Sequence, residues 1–254
     1  SLGDIKAADL ADVLRDLPDD RRIEVAAELD NDRLADVLEE LGDEDRVEIL
    51  SALEAGRAAD VLDVMQPDDA ADLVSELSPD KASELLALMQ PDEAKDVRRL
   101  LAYDERTAGG LMTTEPIILG PEATVATALA QARRRDINPA LSTMIFVARP
   151  PLETPTGRFL GVVHLQRALR EPPHEPLGSF LDTDVEGVTP TDTISKVTRL
   201  MATYNNTALP VLDENRRLLG AISVDDVLDN LLPENWREAE DEETDNADLR
   251  LLHG

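Results

Sequence analysis

The sequence contains no cysteine, and aromatic residues make up only 2% of its 254 residues. The absence of cysteine excludes a disulfide framework, a thiolate metal site and a thiol nucleophile, and it is typical of a reducing compartment. With so few aromatic side chains, the hydrophobic cores must be built from Leu, Val, Ile and Ala. Hydrophobic residues still make up 42% of the chain. We therefore expect a globular protein located in the cytoplasm.

Basic residues and long apolar runs are also scarce. The 25 Lys and Arg residues are outnumbered by 54 Asp and Glu residues, which gives a formal net charge of -29 at pH 7. Such a charge repels the phosphates of nucleic acids and anionic membrane surfaces, so we expect no nucleic-acid partner, whereas divalent cations and basic partners are favoured. No run approaches the roughly 18 apolar residues needed to cross a bilayer, and we expect no signal peptide.

Residues 10–101 carry an apolar pattern that repeats every twelve residues. Each repeat has the spacing of one helix face, as in Leu10, Val13, Leu14 and Leu17. In a continuous helix, a shift of twelve residues would rotate this face by about 120°, so the chain must break between repeats. The breaks fall at Pro18, Gly42, Pro67, Pro79 and Pro91, with Ser78 as a predicted N-cap. We predict eight short helices stacked in antiparallel pairs as a superhelical solenoid, because isolated helices of this length are marginal in water.

Two sets of apolar positions, or registers, recur every twelve residues through all eight repeats without an insertion or deletion. One register contains Val13, Val25, Val37, Ile49, Val61, Leu73, Leu85 and Val97. The other contains Leu17, Leu29, Leu41, Leu53, Met65, Leu77, Met89 and Leu101. We expect both registers to face the core of the solenoid.

The pattern changes after residue 103, where a strand-helix-strand-strand-helix order occurs twice. In the first copy we predict strands at 117–119, 144–148 and 159–163 and helices at 125–135 and 166–170. In the second copy we predict strands at 186–188, 208–212 and 218–223 and helices at 193–204 and 225–231. The fold class is thus multidomain α and α/β. The predicted domains are a solenoid at 4–103, a linker at 104–114 with a joint at Gly109 and Gly110, the two copies at 115–171 and 172–232, and an acidic tail at 233–254.

Short motifs in the second copy resemble those of CBS domains. These are Leu-Pro-Val at 209–211 and Gly-Ala-Ile-Ser-Val-Asp-Asp at 220–226. Together with the acidic helical repeat and Ala-Gly-Gly-Leu-Met-Thr at 108–113, they make the chain similar to the cytosolic region of the MgtE magnesium transporter family. That resemblance implies a homodimer formed through the CBS domains, in which bound Mg2+ keeps a membrane pore closed. The pore would be a transmembrane domain in cis or a membrane partner, which would place the chain at the cytoplasmic face of the plasma membrane.

The resemblance also implies a Mg2+ site built from carboxylates on two surfaces. The implied ligands are Asp69, Asp72, Asp226 and Asp229. Each pair has i, i+3 spacing on one helix, and Mg2+ keeps several waters, so few carboxylates suffice. Asn205 stands where the family usually has Asp, and Pro233 interrupts the helix that would lead to the membrane. These departures favour a soluble relative that senses without transporting.

A second implied site would bind the adenine nucleotide ATP or AMP. By resemblance Ser223 would contact phosphate and Asp226 the ribose, while the adenine would contact Val188, Thr189, Leu209, Pro210 and Val211. The alternative is that Ser223 and Asp226 cap the following helix. In the first copy His164 and Arg167 occupy the equivalent positions, so we expect at most one such site per chain.

Catalysis is not indicated. The three histidines, His164, His174 and His253, lack metal-ligand spacing, and no nucleophile is paired with a base. Our main hypothesis is a dimeric Mg2+-sensing regulatory region in which cations bridge acidic faces. The alternative is a soluble adenine-nucleotide-binding adaptor that controls a partner protein, and the third is an interaction scaffold that responds to neither ligand.

Overall fold

The structure is a computed structural model that describes residues 5–134 and 137–232. The described residues divide into two units, of which the second consists of Gln66–Asp72 and Pro91–Val227 and the first of the remainder. The predicted acidic tail at 233–254 and the predicted end of a helix at 135 lie outside the described residues. In the part of the chain that is described, no helix is both long enough and apolar enough to span a membrane.

The repeat forms short helices, as predicted. They are α1 (Ala7–Arg15), α2 (Asp19–Ala27), α3 (Asn31–Glu39), α4 (Asp43–Ala52), α5 (Ala55–Val64), α6 (Pro67–Glu76), α7 (Pro79–Leu88) and α8 (Pro91–Leu100). Proline starts α6, α7 and α8 because its fixed φ suits the first helical position and its missing N–H is not needed there. Ser78 caps α7 as predicted, since its side chain accepts a hydrogen bond from the amide of Lys81 at 3.4 Å.

Helices of the first unit pack on their second neighbours along the chain. Helix α3 packs on α1 and α5, α5 on α7, and α2 on α4. Most of the first apolar register is buried, since Val37, Ile49, Val61, Leu73, Leu85 and Val97 are at most 1% exposed, whereas Val25 is half-buried. Val13 departs from the prediction because it lies on the first helix of the row and is 50% exposed.

A buried arginine holds neighbouring helices of the first unit together. The Nε of Arg22 donates to the carbonyl of Leu14 at 3.1 Å, and its Nη2 donates to the carbonyl of Leu17 at 3.2 Å. The carbonyl of Leu14, which also accepts from the amide of Leu17, lies in the last turn of α1, and Leu17 follows the helix, where regular helical partners for carbonyls run out. Arg57 binds the carbonyls of Ala27 and Leu29 in the same way, each at 2.6 Å, at the end of α2.

The second unit contains the doubled α/β pattern. Its further helices are α9 (Ala108–Leu111), α10 (Val125–Ala132), α11 (Pro139–Ser142), α12 (Leu165–Ala168), α13 (Ile194–Tyr204) and α14 (Val224–Leu231). Its strands are β1 (Ile118–Leu119), β2 (Met144–Ala148), β3 (Phe159–His164), β4 (Ala208–Leu212) and β5 (Leu218–Ser223). Strand β2 pairs parallel with β1 and antiparallel with β3, and β4 pairs antiparallel with β5.

The predicted strand at 186–188 was wrong, because only Val188 pairs, in an isolated parallel bridge with Val211. Its amide donates to the carbonyl of Pro210 at 2.9 Å, and its carbonyl accepts from the amide of Leu212 at 2.8 Å. The ladder cannot extend back to Glu186, because Pro210 has no N–H to donate to the carbonyl of Glu186. The short helices α9 and α11 were not predicted.

The two α/β copies share a core. Phe146 and Val162 of the first copy are fully buried in one cluster with Ala208 and Ala221 of the second. The glycines expected to form a joint instead lie inside α9, in close contact with their surroundings. A Cβ on Gly109 would lie 2.6 Å from the ring of Tyr103, and the Gly109 amide donates to the carbonyl of Pro190 at 2.8 Å. Only glycine fits this approach, so the pair serves packing.

The end of the predicted linker pairs with β5. The amide of Thr113 donates to the carbonyl of Ala221 at 2.9 Å, and the amide of Ala221 donates back at 3.0 Å. A Cβ on Gly220 would lie 2.3 Å from the carbonyl oxygen of Thr113. The linker is therefore fixed directly beside the strand that leads into α14.

Candidate cation and nucleotide sites

Asp68, in the first turn of α6, is a buried acid. The residue is 8% exposed, its carboxylate accepts a hydrogen bond from the side chain of Thr113, and Oδ1 has no hydrogen-bond partner. Burial raises the pKa of Asp68 well above its usual range, and the negative charges of Asp226 and Asp72 raise that pKa further. Asp68, Asp72 and Asp226 thus belong to one electrostatic cluster within the second unit.

The sequence prediction named Asp69 and did not consider Asp68. Both follow Pro67, and either can share a helix face with Asp72, at i, i+3 spacing for Asp69 and i, i+4 for Asp68. In the structure Asp69 is half-buried, whereas Asp68 is buried against Thr113. Spacing alone did not separate the two. The missing signal was the position of residue 113, which depends on its pairing with β5.

The other predicted cation ligands lie on α14. Asp226 is half-buried in the first turn, and Asp229 is exposed one turn further along the helix. Among residues 5–134 and 137–232, no group of three or more His, Asp or Glu side chains is arranged to hold a metal ion. A Mg2+ ion needs less than this, because it keeps several waters and often binds through one or two carboxylates.

Ser223 and Asp226, the predicted contacts for phosphate and ribose, bond to each other. The hydroxyl of Ser223 donates to Oδ2 of Asp226 at 2.6 Å, and the Ser223 amide donates to the same oxygen at 2.9 Å. The Asp226 amide in turn donates to the Ser223 hydroxyl at 3.3 Å. This is the reciprocal arrangement of a capping box at the start of α14.

The predicted adenine contacts are brought together by the bridge between Val188 and β4. Val188, Leu209, Pro210 and Val211 are buried, and Thr189 is exposed beside them. The amide of Thr189 donates to Oδ2 of Asp192 at 2.8 Å. The five residues therefore lie on one short stretch of backbone pairing.

The first copy has different side chains at the equivalent positions. His164 Nε2 lies 3.3 Å from Oδ2 of Asp182, and the guanidinium carbon of Arg167 lies 5.5 Å from the centre of the Phe180 ring. The two copies meet where the hydroxyls of Thr143 and Thr207 lie 2.7 Å apart. The carbonyls of these threonines accept from Leu165 and Val224, each at 2.8 Å, so the two copies repeat the same local connection.

Comparison with protein families gives two matches. Residues 5–106 match the MgtE intracellular N domain, and residues 177–233 match the CBS domain. The magnesium transporter MgtE of Thermus thermophilus is 36% identical over 135 residues. That match covers 53% of this chain but only 29% of the transporter.

Two solved structures cover most of the chain. The cytosolic domain of the Mg2+ channel MgtE in complex with ATP is 32% identical, with a TM-score of 0.80, and the match covers 90% of this chain and 92% of that one. The soluble part of a magnesium transporter has a TM-score of 0.79 at 24% identity, with 91% and 89% of the two chains covered. The second likeness shows the shared fold alone.

Proposed function

The chain belongs to the MgtE magnesium transporter family, and from that premise we propose that it is a regulatory region that senses Mg2+. The observation that carries this proposal is Asp68, a buried carboxylate with one unpartnered oxygen and two further acids close enough to raise its pKa. A buried charge without a partner is costly, and a divalent cation would offset the repulsion between these acids. The cluster thus favours a bound cation.

In the proposed mechanism, Mg2+ binds between the first turn of α6 and the first turn of α14. Asp68, Asp72 and Asp226 supply the charge, while Asp69 and Asp229 act as outer ligands through water. A ligand that binds only one conformation stabilises that conformation by mass action. Falling Mg2+ would leave the carboxylates to repel each other, and the start of α6 would separate from Thr113 and α14.

Calorimetric titration with MgCl2 tests this site, with residue Asp80 as a control. Asp80 occupies the equivalent position of the next repeat, twelve residues from Asp68, but it is exposed. We expect Asp68→Asn to abolish saturable Mg2+ binding and Asp80→Asn to leave it unchanged. Asp69→Asn should weaken binding less than Asp68→Asn does, and the reverse order would overturn the assignment of Asp68.

Small-angle scattering tests whether the cation controls conformation. We expect the profiles recorded in EDTA and in millimolar MgCl2 to differ for the wild-type chain and to coincide for Asp68→Asn. Identical wild-type profiles in EDTA and in MgCl2 would overturn the proposal that Mg2+ controls conformation, even if calorimetry shows that Mg2+ binds.

Membership of the family also suggests how the chain assembles, and the proposal includes this assembly. We propose a homodimer formed through the CBS domains at the cytoplasmic face of the membrane, acting on a transmembrane pore in cis or on a membrane partner. The relatives are named as magnesium transporters, and the Thermus match spans only 29% of that protein's length. The domain boundaries predicted from the sequence are part of this proposal, which includes no catalytic activity. Sedimentation velocity, with a dimer as the expected result, tests the assembly.

The second candidate function is a soluble adaptor that binds adenine nucleotides and regulates a partner protein. It is favoured by the related cytosolic domain solved with ATP and by the grouping of Val188, Thr189 and residues 209–211. Calorimetry with ATP and AMP tests it. We expect heat with the wild-type chain and its loss in Asp226→Ala, whereas Asp68→Asn should retain nucleotide binding. Absence of heat with either nucleotide would leave Ser223 and Asp226 as a helix cap only.

A further inference from the structure

A cavity of about 520 Å³ lies within the second unit, apart from the carboxylates of the proposed cation site. Its walls come from the start of α6, from α8, from residues 113–119 and from the loop at 152–154. Neither Asp68 nor Asp226 lines it. Its volume falls in the range of small-molecule sites, which is roughly 300–1,000 Å³.

The cavity has an acidic lining. Asp92, Glu93 and Asp96 line it from α8, Glu115 lines it just after the linker, and Glu153 lines it from the loop at 152–154. Lys95 and Arg134 are the basic residues of the lining, so acids outnumber bases by five to two. Carboxylates from three segments around one concave surface concentrate cations there.

The floor of the cavity contains an unsatisfied hydroxyl. Thr114 lines the cavity and is 3% exposed, and its Oγ1 has no hydrogen-bond partner. Buried hydroxyls in native proteins are nearly always hydrogen-bonded, so this one indicates a missing donor or acceptor. This feature is independent of the acidic rim.

The loop that closes the cavity is held in place by hydrogen bonds. Arg99 of α8 donates to the carbonyl of Thr154 at 2.6 Å and to its hydroxyl at 2.9 Å. The Thr154 hydroxyl donates in turn to the carbonyl of Thr114 at 3.0 Å. The loop, the helix and the floor therefore form one connected wall, which keeps the site formed before a ligand arrives.

The distribution of charge favours an extended cation over a metal ion. The five carboxylates are spread over three separate parts of the lining, namely α8, residue 115 and the loop at 152–154. Six waters around one ion occupy only about 180 Å³, well below the volume of the cavity. Separate carboxylates suit a chain of ammonium groups joined by methylenes, and the buried Pro116 and Ile117 offer apolar surface to the methylenes.

We propose that this cavity binds a linear polyamine. Its ammonium groups would donate to the carboxylates of Asp92, Glu93, Glu115 and Glu153, while Asp96 stays paired with Arg99 at 3.1 Å. One ammonium group would donate to Oγ1 of Thr114. Binding would bring a second class of cation to the chain, at a place adjacent to the proposed Mg2+ site because Thr113 lines the cavity and bonds to Asp68.

Calorimetric titration of the whole chain with spermidine at physiological salt tests the proposal. We expect one saturable site per chain and at least tenfold weaker binding in the triple variant Asp92→Asn, Glu115→Gln, Glu153→Gln. The matched control is Asp20→Asn, Glu44→Gln, Asp80→Asn, which removes the same charge from exposed acids of the solenoid. The control should retain its affinity. Equal losses in both triple variants, or no saturation in the wild type, would overturn the proposal in favour of diffuse attraction.

Two single variants test the role of the Thr114 hydroxyl and whether spermidine binding is independent of the proposed Mg2+ site. Thr114→Val removes the hydroxyl and keeps the shape, so spermidine should bind several-fold more weakly while circular dichroism and the melting temperature show a folded protein. Asp68→Asn should leave spermidine binding unchanged, since Asp68 does not line the cavity. Unchanged affinity in Thr114→Val would overturn the assigned role of the hydroxyl, whatever the outcome for Mg2+.

Discussion

Ser223 and Asp226 satisfy each other, since the hydroxyl of Ser223 donates to Oδ2 of Asp226 at 2.6 Å and accepts from the Asp226 amide at 3.3 Å. The same two residues were predicted from the sequence to bind phosphate and ribose. In the structure they cap α14, and nucleotide binding by the same two residues stays a prediction. Asp226 also contributes its charge to the cluster around Asp68. The cap therefore fixes the direction of a carboxylate that belongs to the proposed cation site.

Replacing Ser223 should reveal the capping role. We expect Ser223→Ala to lower the free energy of unfolding by about 0.5–2 kcal/mol, the usual cost of losing an N-cap side chain. Mg2+ binding should be retained, because the carboxylate of Asp226 remains. Urea denaturation and calorimetry measure the two effects. Thr193→Ala removes the cap of α13, where the threonine side chain accepts from the amide of Lys196, and should cost a similar amount. A cost for Ser223→Ala far below that of Thr193→Ala would argue against the cap.

The buried acid Asp68 predicts an unusual dependence of stability on pH. Its pKa is raised in the folded chain, first by burial and then by Asp226 and Asp72, so the folded state holds the proton more tightly than the unfolded state. Without a cation, stability should therefore fall as pH rises from the unfolded pKa, about 3.9, through the raised folded pKa. Asp68→Asn should stabilise the cation-free chain at pH 7, by at least about 1 kcal/mol, and should make no difference below about pH 4.

Chemical denaturation in EDTA across this pH range measures the effect. MgCl2 should stabilise the wild type at pH 7 and leave Asp68→Asn unchanged. Asp80→Asn, at the equivalent but exposed repeat position, is the control and should follow the wild type at every pH. A cation-free wild type that loses no stability relative to Asp68→Asn between about pH 4.5 and pH 7 would contradict the raised pKa of Asp68.

Features of this structure that depend on neighbouring residues in the sequence can be predicted from the sequence, and features that depend on contacts distant in sequence cannot. Helix breaks at Pro67, Pro79 and Pro91 follow from local sterics, and strands β2, β4 and β5 follow from apolar runs, so all were predicted correctly. The choice between Asp68 and Asp69 depends on Thr113, which is distant in sequence and reaches α6 only through its pairing with β5. Local spacing carries no information of that kind.

The reversed dependence on pH should appear at Asp213, in the turn between β4 and β5. Burial raises the pKa of its carboxyl, but the hydrogen bonds from the amide and side chain of Arg217, with that from Asn215, outweigh burial and lower the pKa overall. A lowered folded pKa contributes stability above the unfolded pKa of about 3.9, and this stability is lost as pH falls through the folded pKa. Asp213→Asn should therefore destabilise the chain at pH 7. At a pH below the folded pKa of Asp213, the substitution should make no difference to stability. Glu214→Gln, the exposed neighbour, is the control, and equal effects of the two variants would contradict the role of these hydrogen bonds.

The last prediction concerns Arg22, whose side chain lies 8% exposed among the ends of helices in the first unit. Its guanidinium binds the carbonyls of Leu14 in α1 and of Leu17 just after that helix, and it also contacts Asp45 and Glu48 on α4. Lysine keeps the charge but has no planar fork, so it cannot reproduce both hydrogen bonds to the carbonyls together with the contacts to Asp45 and Glu48. We expect Arg22→Lys to cost about 1–3 kcal/mol in the free energy of unfolding. Arg21→Lys is the neighbouring control, because Arg21 is exposed and pairs with Glu24 on its own helix, an exposed pair worth about 0–1 kcal/mol. Urea unfolding of the two variants measures the difference, and equal costs would show that Arg22 contributes charge alone and that the fork does not join α1 to α4.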